Sequence, residues 1–445
     1  MASQRKNKNI FFCVIGCFLL IYIHGCDKMR ETIEVRDVDV LNALIKKDPT
    51  FLNNKLIKDA TLFKVVDPNH PELGHGLVLE NMVIKNFVMS NMTLYNVQFK
   101  NVTFVDCAFI KTHMEDGTFE NVKFIRGELF TYDEPKDAYW QPQTYFEDIK
   151  IDRVLFDGVR IGKNAKMYLY KGVVVMRNVV VEAKRDERSY DSALLRGNDL
   201  HVRIDRCTVT NETGLNISGD KSSAYITNST FNNSMIQIKG TATWVDNCTI
   251  TNTSMPGSKT VVVRSSRLSN VNAYSAYDDG KAFFVDNNYI NEKDGYGLGA
   301  ASGAYIYTAQ IQNLNIDSGP VNIYDTTIEK LKLNNLAAAK RLNAGVRQPT
   351  GITELNLSNV TIKQGDWEGA ELQQGKWNNV QLGPLNLNEA KIGVITGYRV
   401  GHFGSDLKFK ESTQPLNIEK PPVPTLEELG LAQFWKENDF PVEQY

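Results

Sequence analysis

From residue 77 the chain falls into consecutive blocks of five: LVLEN, MVIKN, FVMSN, MTLYN, VQFKN, VTFVD, CAFIK, THMED, GTFEN, VKFIR and GELFT. The third position of every block is large and apolar: Leu79, Ile84, Met89, Leu94, Phe99, Phe104, Phe109, Met114, Phe119, Phe124 and Leu129. The fifth is repeatedly Asn or Asp, at Asn81, Asn86, Asn91, Asn96, Asn101, Asp106, Asp116 and Asn121. A beat of five matches neither an isolated helix, at about 3.6 residues per turn, nor an ordinary strand, at about 2. It requires a chain that turns one corner per block, with the central side chain inside and a turn-forming Asn or Asp at the corner. No such unit buries its apolar face alone, so the blocks must stack.

This pattern resembles the pentapeptide-repeat family, which implies a square β-helix of four blocks per coil over residues 77–131. The first block position is often Val or Met rather than Ala, which points to distortion of that pattern. Beyond residue 132 the short beat ends and a longer one continues. A turn residue is followed three positions on by a large apolar one: Asn178 and Val181, Arg206 and Val209, Asn228 and Phe231, Asn247 and Ile250, Asp325 and Ile328, Asn359 and Ile362, Asn379 and Leu382. Several neighbours lie about 20 residues apart, the length of one solenoid coil. Residues 132–419 resemble right-handed parallel β-helix proteins with loop excursions. The fold expected is therefore all-β: a right-handed parallel β-helix with pentapeptide-like N-terminal coils and short helical caps at the ends. Cys207 and Cys248 occupy one template slot, where a small buried residue is wanted, and inward free thiols are expected.

The ends differ from the middle. Residues 26–76 include a helical pattern over residues 37–47 (DVDVLNALIKK), with Val40, Leu41, Leu44 and Ile45 as its apolar set and Pro49 just beyond. Residues 420–445 open with a Pro-rich linker, and Thr425 and Glu428 match a capping box that starts a helix toward Trp435. Both helices are expected to cap the solenoid; docking of a partner is the alternative for the second. Residues 337–347 (AAAKRLNAGVR) break the β pattern and are expected to form a solvated loop.

At the start, Arg5, Lys6 and Lys8 precede an apolar run over residues 10–23 (IFFCVIGCFLLIYI) and then Gly25 and Cys26. This is the layout of a secretory signal, and the run is short for a membrane-spanning helix. Ile23, His24, Gly25 and Cys26 resemble a bacterial lipobox, from which His24 departs. That resemblance implies removal of residues 1–25 after Gly25, a lipid on Cys26, and a chain anchored to the inner or outer membrane of a bacterial cell envelope. A signal anchor is the alternative.

The chemistry is less legible. Fifty Lys and Arg against fifty-two Asp and Glu give a net charge of −2, which excludes nucleic-acid binding driven by bulk charge. Parallel β-helices often carry polysaccharide lyases and hydrolases, which need carboxylates paired across a scissile bond. Gly74, His75 and Gly76, and the pair Asp278 and Asp279, resemble polygalacturonase motifs in reversed order. Trp244, Val245 and Asp246 are similar to a stretch of pectate lyases, with Asn247 replacing its histidine. Local turn and coil roles suffice for all of them, so no catalytic residue, metal or cofactor is assigned. His113, like the other histidines, shows no ligand spacing in the sequence. The leading expectation is a non-catalytic scaffold presenting a long surface to a protein or polysaccharide partner. Its candidate surface is Tyr274, Tyr277, Tyr296, Tyr305 and Tyr307 in a Gly/Ala/Tyr-rich stretch, since clustered tyrosines anchor sugars and protein interfaces. A β-helix carbohydrate-active enzyme and a secreted pentapeptide-repeat effector are the alternatives.

Overall fold

The computed structural model describes residues 30–34, 38–62, 76–130, 144–162, 165–182, 193–210, 214–275, 277, 279–290, 298–300, 303–333, 352–402 and 407–441. Cys26 and the segments 1–25 and 337–347 lie outside the described residues. The chain winds as an all-β parallel solenoid of about 14 turns, with two short helices. Every strand pairing is parallel, and each strand bonds to the equivalent strand of the next coil.

In the first coils the five-residue beat becomes a register of four blocks per turn. Leu79 pairs with Phe99 and Phe99 with Phe119, while Ile84 pairs with Phe104 and Phe104 with Phe124. All eleven block centres are at most 2% exposed. Parallel strands sit about 4.8 Å apart, so identical rings stack. Phe104 lies 5.1 Å from Phe124 at 13°, and Phe124 lies 5.0 Å from Phe156 at 7°. The corners show why Asn and Asp recur. Asn81, Asn86, Asn91, Asn96, Asn101, Asp106, Asp116 and Asn121 all have φ between 52° and 54°, the left-handed region that these residues tolerate best after glycine. Their side chains then bond from coil to coil: Asn121 Nδ2 donates to Asn101 Oδ1 at 3.1 Å, and Asn101 Nδ2 to Asn81 Oδ1 at 2.8 Å. The same ladder returns later, where Asn247 donates to Asn228 at 2.8 Å and Asn379 to Asn359 at 3.0 Å.

Cys107, Cys207 and Cys248 are free and buried. The Cys207 thiol lies 3.4 Å from the carbonyls of Met176 and Asp205, and burial pushes each of the three thiols up to about 12. At that value they are packing groups, not nucleophiles.

The N-terminal helix spans Val38–Lys47. Its buried face is Val38, Leu41 and Ile45, while Val40 and Leu44 point to solvent. The apolar set expected from sequence was therefore rotated: the helix needs only one narrow stripe, at i, i+3 and i+7, to cover the coil end. Asn42 closes the open backbone edge there, donating to the Gly76 carbonyl at 2.9 Å and accepting from the Val78 amide at 3.0 Å.

The C-terminal segment does something different. The Thr425–Glu428 capping box forms, with both reciprocal bonds at 2.8 and 3.1 Å, but it closes a turn, and the helix begins only at Leu431 and ends at Asn438. Gly430, at φ 70°, makes the change of direction. The segment runs along the flank of the solenoid, back toward earlier coils. Asn378 holds Leu416 through two bonds, the Tyr324 hydroxyl donates to the Glu419 carbonyl, and the Tyr307 hydroxyl donates to the Pro421 carbonyl at 2.7 Å. Further back, Phe434 packs on His201 at 4.2 Å, Asp439 pairs with Arg177 and Arg203, and the Arg153 guanidinium lies 5.0 Å over Phe440. Leu431, Trp435 and Phe440 join an outward-facing apolar stripe of Leu155, Val175, Trp244, Val262 and Phe283. We call this segment the strap.

Candidate ligand-binding flank

The strap decides which outward face is available. Tyr305 and Tyr307, expected on an exposed surface, are only 8% and 6% exposed. They do point away from the core, as strand alternation requires, but strap and stacking neighbours cover them. Phe283 stacks on Tyr305 at 5.1 Å, Tyr324 stacks on Tyr307 at 5.0 Å, and Lys420 of the strap lies 5.7 Å over Tyr307. Tyr277 is half-buried. The side chain of Tyr274 and all of Tyr296 lie outside the described residues, so the five tyrosines are not one exposed cluster.

The sequence motifs weighed for catalysis are scattered. Asp246 sits 3.7 Å from Arg264, and Asp279 pairs with Lys259. Trp244 belongs to the covered stripe. His75 and Asp278 lie outside the described residues.

A second flank carries a denser set of functional groups. It is built on strands Ala108–Glu115, Tyr145–Ile151, Lys166–Arg177, Ala193–Asp205 and Gly214–Ser218, stacked in parallel. Met114, Phe146, Met167, Leu195 and Leu215 face inward and are buried. Alternation therefore turns their neighbours outward: His113 and Glu115, Tyr145 and Glu147, Tyr168, Arg196 and Asn216. Register places His113 beside Tyr145 and Glu115 beside Glu147. The His113 ring stacks on Tyr145 at 5.4 Å and 15°, and Tyr145 meets Tyr168 edge-on at 5.4 Å. The Arg196 guanidinium lies 5.1 Å over the Tyr168 ring, and donates to its hydroxyl at 3.0 Å.

The acidic groups sit at one end of this row. His113 Nε2 is 3.1 Å from Glu147 Oε2 and 3.9 Å from Glu115 Oε2. The Tyr145 hydroxyl reaches Glu147 Oε1 at 3.5 Å. Burial raises the Glu115 carboxyl; His113 opposes this, while the negative charges of Glu147, Asp116 and Asp148 add to it. Because stacked rings shield one another's faces, the row offers solvent its hydroxyl, carboxylate and guanidinium edges. It is suited to a hydroxylated or charged ligand. Sequence inspection missed it. His113 and Glu115 lie two apart on one strand, a visible hint, but Glu147 follows an interruption of the five-residue beat that hides its register.

The fold thus defines the class: a parallel β-solenoid with one flank strapped and a row of polar and aromatic side chains along another. No protein-family model matches the sequence, and no curated protein matches it. Among solved structures, the chain is similar to the periplasmic alginate epimerase AlgG at 9% identity and a TM-score of 0.26, over 78% of this chain and 84% of that one. It is also similar to the Dettilon tailspike protein gp208 at 11% identity and a TM-score of 0.22, over 72% of this chain and 62% of that one. At such scores neither likeness carries an argument about what this chain does. Among the described residues, no helix is long and apolar enough to cross a membrane.

Proposed function

We propose that this chain is a non-catalytic β-solenoid, lipid-anchored in a bacterial cell envelope through Cys26, that holds a glycan along the flank of His113, Tyr145, Tyr168 and Arg196. The observation that carries the binding surface is the row itself: hydrogen-bonding edges on successive coils, with the opposite flank closed by the strap. Each strand supplies one or two groups at the inter-coil spacing, so an extended polymer meets repeated contacts and affinity accumulates by avidity. A solenoid holds that row rigid, which limits the entropy lost on binding.

The test is binding of purified protein to a panel of neutral and acidic glycans, with product analysis in parallel. Binding that weakens at least tenfold in Tyr168→Ala and Arg196→Ala, without reducing ends or unsaturated products, is expected. The absence of any glycan binding would overturn the reading. Turnover would instead favour a carbohydrate-active enzyme, and one observation supports that second reading: His113 and two carboxylates lie within reach of one another beside the Tyr145 hydroxyl. The anchor has its own test. Cys26→Ser should leave an uncleaved precursor and abolish labelling by a fatty-acid analogue; unchanged labelling would sink it.

A further inference from the structure

We propose that His113, Glu115 and Glu147 form a binding site for a divalent first-row transition metal ion, with Zn2+ the best fit. The site stands whether or not the flank binds a glycan, because its ligands and its test involve the cation alone. Three observations carry it. One donor atom from each residue lies within 4.8 Å of the others. Ligands around a zinc ion bonded at about 2.0–2.2 Å are separated by about 3–3.5 Å, so modest side-chain rotation closes the set. His113 to Glu147, at 3.1 Å, is already there.

The second observation is orientation. A ligating histidine works when its ring is fixed and its carboxylate partners are themselves held. Here Tyr145 does both, stacking on the His113 ring at 5.4 Å while its hydroxyl approaches Glu147 Oε1. The third is charge. Parallel register places Glu115 directly beside Glu147, and Asp116 and Asp148 follow them along the chain, so four carboxylates gather on two adjacent coils. Paired like charges on neighbouring strands repel, and a bound cation turns that repulsion into attraction.

The donor set selects the ion. One imidazole with two carboxylates suits zinc, and manganese less well, whereas calcium prefers an all-oxygen shell. The three side chains are 25%, 33% and 35% exposed, which leaves an entry path and room for water to complete the shell.

The experiment is calorimetric titration of the chelator-treated full chain with ZnCl2, MnCl2 and CaCl2. We expect one site for Zn2+, weaker binding of Mn2+ and weaker still of Ca2+. His113→Gln and Glu147→Gln should each lower Zn2+ affinity at least tenfold. Should a variant misfold, the wild-type chain decides: Zn2+ should protect His113 from diethyl pyrocarbonate, measured on the His113 peptide by mass spectrometry. No Zn2+ site, undiminished affinity in both folded variants, or carbethoxylation of His113 unchanged by Zn2+ would each overturn the proposal.

Discussion

Replacing Phe104 with alanine tests the square-coil register at its most demanding point. Phe104 is 1% exposed and lies among three rings: Phe124 at 5.1 Å, Phe109 at 5.2 Å and Phe99 at 5.6 Å. A buried Phe→Ala change costs about 3–5 kcal/mol, from lost transfer free energy plus the cavity left behind. The upper half of that range applies, because each broken ring pair adds about 0.5–1.5 kcal/mol. The neighbours cannot collapse into the space either, since their backbones are pinned by parallel pairing on both sides. Lys100 is the control: its side chain is 53% exposed and meets Glu120 at 2.9 Å on the surface. Lys100→Ala should cost no more than about 0.5 kcal/mol, because exposed ion pairs contribute little. Urea denaturation followed by far-UV circular dichroism measures both. Comparable losses at the two positions would refute the register, and with it the inward placement of every block centre.

Three further outcomes follow from the geometry. Asn101 sits at φ 52°, so Asn101→Gly should be better tolerated than Asn101→Ala by about 1 kcal/mol, reversing the usual order in strands; equal melting behaviour would argue against the left-handed corner. Asp439→Ala leaves the buried Arg177 and its neighbour Arg203 without their shared carboxylate, and should destabilise strap docking by about 3 kcal/mol. Faster proteolysis within residues 414–441 and a red shift of buried Trp435 fluorescence would report it. The thiols of Cys107, Cys207 and Cys248, pushed up to about 12 by burial, should stay protonated and inert to a disulfide reagent at pH 8, reacting only on denaturation. Rapid labelling of any of these three thiols in the folded chain, read on their own peptides, would contradict their placement.

What the sequence made legible is what repeats. Leu79, Phe99 and Phe119 do the same work on successive coils, so a fixed spacing reveals them, and the left-handed corners add Asn and Asp at an equally fixed offset. The candidate site is not periodic. Glu147 reaches Glu115 only because the intervening coil is longer than its neighbours, a fact of register that spacing rules do not contain. Tyr305 and Tyr307 mislead in another way. Alternation places them outward, but outward became buried when a segment over a hundred residues later returned to cover them. The helix Val38–Lys47 was legible as a helix; which stripe it buries depended on the coil beneath.

The strap also imposes an order of events. It is encoded after every coil it covers, so wherever the chain emerges and folds, those coils can wind, N-terminal turns first, before the strap arrives. During that interval Trp244, Phe283, Tyr305 and Tyr307 line an uncovered stripe of aromatic surface on an otherwise finished rod. Partly folded chains side by side would present the same stripe to one another, which makes this the stage at which aggregation competes with maturation. Closure then acts as a latch: Asp439 engages Arg177 and Arg203, carried by coils wound far earlier, only after every coil that the strap covers has been made.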